Sequence, residues 1–421
     1  MTDSSIDRRR FLGGLLALAA MGLPGCRNGS DYTDDDIARL EQQRRAEAAA
    51  AGSGPYGPLK FRGYRGLAEL PYFELDAQGE LRVVLDDVPP GIDFHAHLGI
   101  NLLFAPAIDL QKRTPRIRFL LDCDREYPGC ELDLDVYINA AFSEEMHDEL
   151  SSELTQQLFR GSDAAATHTI PNLVDELRRM RFGQAAILPM ALGLPFGDRL
   201  TEDWLDAIAA ADGSEALIPF ASVRPPSRGA VASLRNFAAR GARGVKLHPE
   251  MQRFFPDAPE SLEVYAECER LGLPIIFHAG RSGIEPEFMR KYALIRRWDG
   301  PVRDFPRLQF VLGHAGARDV DDAIELARRH DNVWLEITGQ GVTKLDEILR
   351  RVGPEKLVFG SDWPFYPLAA TLAKVFLVTE KNPSARAAIL RENALRVFAA
   401  AAQTKSVVQS TDPLQRSWMR S

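Results

Sequence analysis

Two histidines stand two residues apart in Ile92-Asp93-Phe94-His95-Ala96-His97, at the end of an apolar run. On an extended strand, residues i and i+2 project to one face. Two imidazoles on one face of a strand end make half of a metal site. The other half must come from the ends of other strands. Phe277-His278, Gly313-His314 and Ser361-Asp362 each close an apolar run of strand length. Three neutral imidazoles and a carboxylate suit zinc or a similar divalent ion. The expected ligands of one such ion are His95, His97, His278 and Asp362. A lone strand-end histidine is more often a hydrogen-bonded structural residue, but that reading fits four recurring positions poorly. The ion would leave a position for water and lower its pKa toward neutrality.

Further groups fall in the same places. His314, in Gly313-His314-Ala315-Gly316, fits a further ligand or, better, a catalytic acid/base that polarises substrate or accepts a proton from water. A packing histidine under a Gly-rich loop is the plainer alternative. Asp362 has a second oxygen and can act as a base. Lys246 and His248 share a face of one strand, with Val245 and Leu247 on the other, so both are expected to line the lumen and meet substrate. A carboxylated Lys246 bridging two metals is a weaker reading. Arg281, three residues past His278, has the fork to hold a substrate carboxylate, unless it is a solvated loop residue. Glu336 is expected to orient His314 or Lys246.

The elements that must position these groups recur from residue 88 onward. Apolar strand, polar loop and amphipathic helix alternate. Strands are expected at 91–97, 184–190, 216–223, 244–248, 274–278, 309–314, 333–338 and 356–362. Helices are expected at 170–180, 201–211, 230–239, 260–271, 319–329 and 343–351. Eight strands alternating with helices predict a parallel α/β barrel with right-handed crossovers. An open doubly wound sheet fits less well, because no Gly-rich phosphate loop follows a first strand. In a barrel, functional groups gather at the C-terminal ends of the strands, where these histidines and the aspartate fall.

The chain has 421 residues and a formal charge of -8, so a basic nucleic-acid footprint is absent. Arg8-Arg9-Arg10-Phe11-Leu12 before the short apolar region Gly13 to Leu23 looks like a twin-arginine export signal. Leu23-Pro24-Gly25-Cys26 looks like a lipobox, with lipidation expected at Cys26. That would place the protein, lipid-anchored, on the extracytoplasmic face of a bacterial membrane, in the periplasm or at the cell surface. Residues 1–25 are thus read as signal and 26–58 as a mobile tether. A small β-hairpin extension is expected over 59–87, the barrel over 88–402 with a long insertion at 98–169, and a tail over 403–421. The insertion reads as a lid or as a homodimer contact. Cys123 and Cys130 could pair as a local disulfide or remain thiols. Cys268 reads as a packing residue.

The strings Asp93-Phe94-His95-Ala96-His97, Gly244-Val245-Lys246-Leu247-His248-Pro249, Phe277-His278-Ala279-Gly280, Gly313-His314-Ala315-Gly316 and Phe359-Gly360-Ser361-Asp362-Trp363-Pro364 resemble, in order, the amidohydrolase-related family of the amidohydrolase superfamily. Glu392-Asn393-Ala394 before Arg396-Val397-Phe398 resembles its usual ending. The resemblance covers roughly residues 88–400. It implies a distorted (β/α)8 barrel, His95, His97, His278 and Asp362 as metal ligands, and His314 as the catalytic histidine beside them. It implies hydrolysis of a small ester, lactone or amide, with a carboxylate on the substrate made plausible by Lys246 and Arg281. Non-oxidative decarboxylation of an unsaturated or aromatic acid is the alternative, as in relatives of aminocarboxymuconate-semialdehyde decarboxylase. A non-catalytic metal-binding scaffold at the membrane is a third reading, disfavoured by the full ligand set.

Overall fold

The computed structural model describes residues 32–120, 131–138, 152–153, 156–157, 160–194 and 198–411. The first element is α1 (Asp34–Ala50), in the stretch expected to be a tether. Thr33 caps it: Thr33 Oγ1 accepts the Asp36 N–H and Asp36 Oδ2 accepts the Thr33 N–H, a reciprocal box. The helix is docked, not mobile. Leu40 and Asp36 are buried. Arg296 grips the Asp36 carboxylate at 2.7 and 2.8 Å and holds it well below the usual carboxylate range. Arg318 Nε meets Glu47 at 2.8 Å, and Arg39 meets Asp322 at 3.1 Å. The apolar face is thin, as its sequence shows. Ion pairs to residues more than 250 positions away hold the helix instead, and no local pattern announces them.

Next come β1 (Lys60–Arg62), β2 (Phe73–Leu75) and β3 (Leu81–Val83). β2 and β3 form the expected hairpin, with Phe73 opposite Val83 and Leu75 opposite Leu81. β1 pairs elsewhere. Its antiparallel partner is β5 (Glu131–Asp133), inside the long insertion. The described part of that insertion is fixed in place. Ile138 N donates to Gly339 O, Val342 N to Leu134 O, and Leu120 N to Pro364 O.

The barrel strands are β4 (Gly91–Ala96), β6 (Phe182–Ile187), β7 (Leu217–Pro219), β8 (Val245–Leu247), β9 (Ile275–His278), β10 (Phe310–Gly313), β11 (Val333–Glu336) and β12 (Leu357–Val358). β8 to β12 form one parallel sheet in chain order, and β4, β6 and β7 form another. Two seams join them. At one, Ala221 N donates to Gly244 O and Lys246 N to Ala221 O. At the other, Phe94 N donates to Phe359 O, Asp362 N to His95 O, and His97 N to Trp363 O. The strands thus stand in the cyclic order of a (β/α)8 barrel. Helices α2 (Ile170–Arg179), α3 (Leu200–Ala209), α4 (Ala230–Ala239), α5 (Pro259–Leu271), α6 (Val320–Arg329), α7 (Val342–Val352) and α8 (Leu368–Val378) follow the strands, and α9 (Asn393–Thr411) closes the chain. Among the described residues, no helix is long and apolar enough to cross a membrane.

The lumen is layered. Ile92, Phe94, Ile276, Val311, Trp334 and Val358 form its apolar floor, plugged by Val397 and Phe398 of α9. One step further along the strands stand the polar side chains of His95, Lys246, His278, Glu336 and Asp362. That places the chemistry at the C-terminal mouth.

His168 lies buried where the insertion returns to the barrel. Its Nε2 donates to Arg118 O at 2.7 Å, and its ring meets Trp363 edge-on. Burial lowers its pKa to about 4. Below about pH 6.5 the unfolded chain takes up a proton that the folded chain refuses, so stability falls as pH drops toward 4. At pH 4 the loss from this residue is about 3 kcal/mol. Urea unfolding at pH 7 and pH 4 should show a loss larger by about that amount in wild type than in His168→Gln. Equal losses would mean that His168 titrates freely in the fold.

Candidate metal centre

Simple alternation along β4 would send His95 away from the lumen, since Ile92 and Phe94 already face it. A register shift between Asp93 and Ala96 breaks the alternation. After it, Ala96 packs in the outer core, and His95 and His97 turn inward. Asp93 braces the same turn. Its carboxylate accepts the His95 N–H at 3.0 Å, the Ser361 N–H at 2.9 Å and the Ser361 hydroxyl at 2.5 Å. This fixes the segment that carries Asp362 against β4.

Both histidines are set for ligation through Nε2. His95 Nδ1 donates to Glu336 Oε2 at 2.8 Å, and His97 Nδ1 donates to Leu188 O at 2.6 Å. With the proton on Nδ1, each Nε2 keeps its lone pair. The two nitrogens converge on Asp362 Oδ1, at 3.3 Å from His95 and 3.2 Å from His97. Zinc bonds of about 2.0–2.1 Å at tetrahedral angles hold ligand atoms about 3.3 Å apart. The donor set and its spacing therefore fit a divalent ion. Burial would raise the Asp362 pKa, but the imidazoles of His95, His97 and His314 lower it, so the carboxylate is ionised at neutral pH.

Lys246 stands beside this group, its Nζ 3.0 Å from His95 Nε2. Burial lowers its pKa to about 8, against the pull of Asp362 and Glu336. Glu336 is fully buried and orients the His95 ring, where His314 or Lys246 was the expected partner. Its Oε2 also accepts the His314 N–H at 3.1 Å, and its Oε1 accepts the Thr338 N–H and hydroxyl. His314 and Asp362 both adopt left-handed backbone, φ 57° and 58°. For residues with a Cβ such conformations carry strain and concentrate at functional sites. Gln340 holds the His314 loop, its side-chain amide donating to His314 O at 2.6 Å and Ala317 O at 2.8 Å. The Gln340 carbonyl in turn accepts the buried amine of Lys374. Neither residue carries a sequence signal, because both act through backbone atoms of a distant loop.

One expectation, that of Arg281, needs correction. His278 is not among the three residues whose ligand atoms lie within 4.8 Å of one another at His95, His97 and Asp362. Its Nε2 is drawn to Glu250 Oε2 at 3.5 Å, and its Nδ1 meets His314 Nε2 at 3.1 Å. Arg281 does not face a substrate. It is 1 % exposed and forks onto Asp319, Nε to Oδ2 at 2.8 Å and Nη2 to Oδ1 at 2.5 Å, while Nη1 donates to Asp36 O. That carboxylate raises its pKa in spite of burial. Arg281 is a clamp joining the loop after β9, the start of α6 and the start of α1. His248 stays near the centre, stacked on His278 with ring centroids 4.1 Å apart. Cys268 is buried and free, as expected of a packing residue. Cys26, Cys123 and Cys130 lie outside the described residues.

Fold and site together define an enzyme class: a (β/α)8 barrel with a metal-binding mouth built from strand ends. A family profile described as Amidohydrolase matches residues 92–400, and the chain belongs to that metal-dependent enzyme family. Solved structures with some likeness include an uncharacterised TIM-barrel protein from Bordetella bronchiseptica, at 23 % identity and TM-score 0.49, covering 57 % of this chain and 85 % of that one. A probable 2-pyrone-4,6-dicarboxylic acid hydrolase from Acinetobacter baumannii gives 14 %, 0.45, 73 % and 99 % in the same order. The 5-carboxyvanillate decarboxylase of Sphingomonas paucimobilis gives 16 %, 0.47, 58 % and 89 %. At such distances these likenesses carry no functional inference. Comparison with curated proteins gave no match.

Two substitutions test the assignments. Glu336→Gln should leave the chain folded and weaken zinc binding by about 10–100-fold, read by competition with a chromophoric chelator, because His95 loses its orienting acceptor. Arg281→Ala should cost about 3–5 kcal/mol in urea unfolding, because the Asp319 carboxylate is left buried without its partner. An unchanged unfolding midpoint would return Arg281 to a ligand-facing role.

Proposed function

We propose that this chain is a hydrolase acting on a small ester, lactone or amide, at a centre where His95, His97 and Asp362 hold one divalent ion, Zn2+ in the first instance. The observation that carries the reading is the convergence of two Nε2 lone pairs and one carboxylate oxygen at tetrahedral-edge spacing. When bound, such an ion would polarise the acyl carbonyl and lower the pKa of the attacking water. The chain's own groups supply the rest. Asp362 is ionised, and its second oxygen is the proton acceptor nearest the ligands. Burial lowers the His314 pKa, so the ring is neutral at pH 7 and able to take a proton. The Lys246 ammonium is placed to stabilise negative charge growing on the substrate oxygen. A carboxylate on the substrate would be met by Lys246, with His248 at the rim.

Decarboxylation is the second reading. It needs an anchored carboxylate, and the residue expected to anchor it, Arg281, is spent on Asp319. Lys246 is the anchor that remains for that reading, and product analysis separates it from hydrolysis. His314→Asn should retain zinc and lose at least about 100-fold in turnover, the usual scale of a lost acid/base group. A panel of lactones, esters, amides and carboxylic acids finds the substrate first. Full activity in the variant would remove His314 from proton transfer, and carbon dioxide release from the acids would overturn hydrolysis.

We also propose that the protein is exported through the twin-arginine route and anchored by lipid on Cys26. The support is the motif itself, Arg8-Arg9-Arg10-Phe11-Leu12 followed by Leu23-Pro24-Gly25-Cys26. Radiolabelled palmitate should enter the wild-type chain in cells and not the Cys26→Ser chain. Equal labelling of both would refute the anchor.

A further inference from the structure

Among the described residues, the exposed large apolar side chains are Leu75, Phe104, Ile284, Phe288 and Leu395. Two of them share one loop. Ile284 and Phe288 stand four residues apart after β9, 43 % and 52 % exposed. That loop is part of the mouth. It follows His278, and its short helix at Glu287–Arg290 packs against the turn Pro249–Gln252 that follows β8.

The same loop receives the start of α1. Arg281 Nη1 donates to Asp36 O, and the Arg281 guanidinium lies 5.9 Å from the centre of the Tyr32 ring. Further along α1, Arg44 lies against Gly283, where a Cβ would be 3.4 Å from Arg44 Cδ. Tyr32 is therefore fixed at the rim on the β9 side. Cys26 precedes it by six residue steps, which span at most about 22 Å. A domain of about 380 residues has a radius of gyration of about 21 Å, hence a diameter of roughly 50 Å. The connection is less than half of that. A lipid on Cys26 keeps the β9 rim close to the bilayer, and the far end of the barrel, where α9 underlies the floor, cannot be the end that touches it.

We propose that Ile284 and Phe288 seat the β9 rim of the mouth on a lipid bilayer. The inference rests on the proposed lipid at Cys26 and adds an orientation to it. Both side chains gain by leaving water for the boundary between headgroups and acyl chains. Their neighbours suit that depth. Arg44 and Lys291 are cations for phosphate headgroups, and Lys291 Nζ lies 5.2 Å from the ring centroid of Tyr292, a side chain of the kind enriched at membrane interfaces. Glu287 is also exposed on the loop, so the contact is shallow, two apolar tips among charges. The formal charge of -8 opposes adsorption to an anionic surface, so the lipid holds the chain and the two side chains orient it. His278 ends β9 and the loop of His314 follows β10, so this side of the site opens at the membrane surface.

The bilayer itself is the probe. The full-length chain is extracted with its lipid and reconstituted in phosphatidylcholine vesicles with plain or dibrominated acyl chains. Bromine quenches an indole that reaches the acyl boundary. The emission added by Phe288→Trp, taken as the difference from wild type, should be mostly lost in the brominated vesicles. That added by Leu395→Trp, on α9 and 44 % exposed in wild type, should not be lost. Circular dichroism checks the fold, and Ile284→Trp replaces Phe288→Trp if the latter does not fold. Equal loss at both ends overturns the seat. Loss at neither end also overturns it and gives the face to a second copy or a protein partner. Failure of the anchor is read separately, by palmitate. In that case the Cys26 thiol of a Cys123→Ser/Cys130→Ser chain, whose remaining thiol Cys268 is buried, is coupled to a maleimide phospholipid in the same vesicles. The same quenching pattern is then required, and its absence overturns the seat.

Discussion

The site exists because the first and last barrel strands are laced together. Phe94 N donates to Phe359 O, Asp362 N to His95 O, and His97 N to Trp363 O. These bonds bring a carboxylate from one end of the barrel sequence against two imidazoles from the other. Asp93 strengthens the seam by accepting from both Ser361 and His95. Gly360 lets the strands close: a Cβ there would lie 2.4 Å from Glu336 Oε1 and 2.8 Å from His95 Cβ. The seam, the orienting carboxylate and the ligands thus share one small volume, and a change to any of them reaches the others.

Around that volume the lumen divides by polarity. The floor is apolar, and Val397 and Phe398 of α9 pack against it. The layer above contains His95, His97, Lys246, His278, Glu336 and Asp362, nearly all buried. In such surroundings a polar group must find partners or neutralise. Nδ1 of His95 goes to Glu336, Nδ1 of His97 to a backbone carbonyl, and the left-handed loop at His314 is held by Gln340 over Lys374. With the Lys246 amine 3.0 Å from His95 Nε2, what these bonds leave facing one another are the Nε2 atoms of His95 and His97 and the Asp362 carboxylate. These groups take cations, and so the chemistry of the mouth follows from its hydrogen-bond accounting.

Much of this was legible in the sequence. Eight apolar runs of strand length, six of them followed by an expected helix, mark the barrel, and the helix expected at 230–239 is observed at Ala230–Ala239. His95, His97 and Asp362 stood out because each ends such a run. Other features were hidden for physical reasons. The register shift that turns His95 inward has no residue signature. Arg281 looked like an anion clamp because its fork suits any carboxylate, and only the fold shows that Asp319 supplies one. α1 was misread as a tether because its docking energy lies in ion pairs with the loops of β9 and β10 and not in an apolar stripe. His278 ends a strand in the same way, and its Nε2 lies 3.5 Å from Glu250 Oε2, two residues past His248.

The central claim is that one cation is held between His95 Nε2, His97 Nε2 and Asp362 Oδ1. Anomalous scattering from crystals of the zinc-loaded protein, recorded on both sides of the zinc edge, locates the ion directly. The account predicts a peak bonded to all three atoms, at about 2.0–2.2 Å from each. Zinc-loaded crystals with no peak among those three atoms would contradict it.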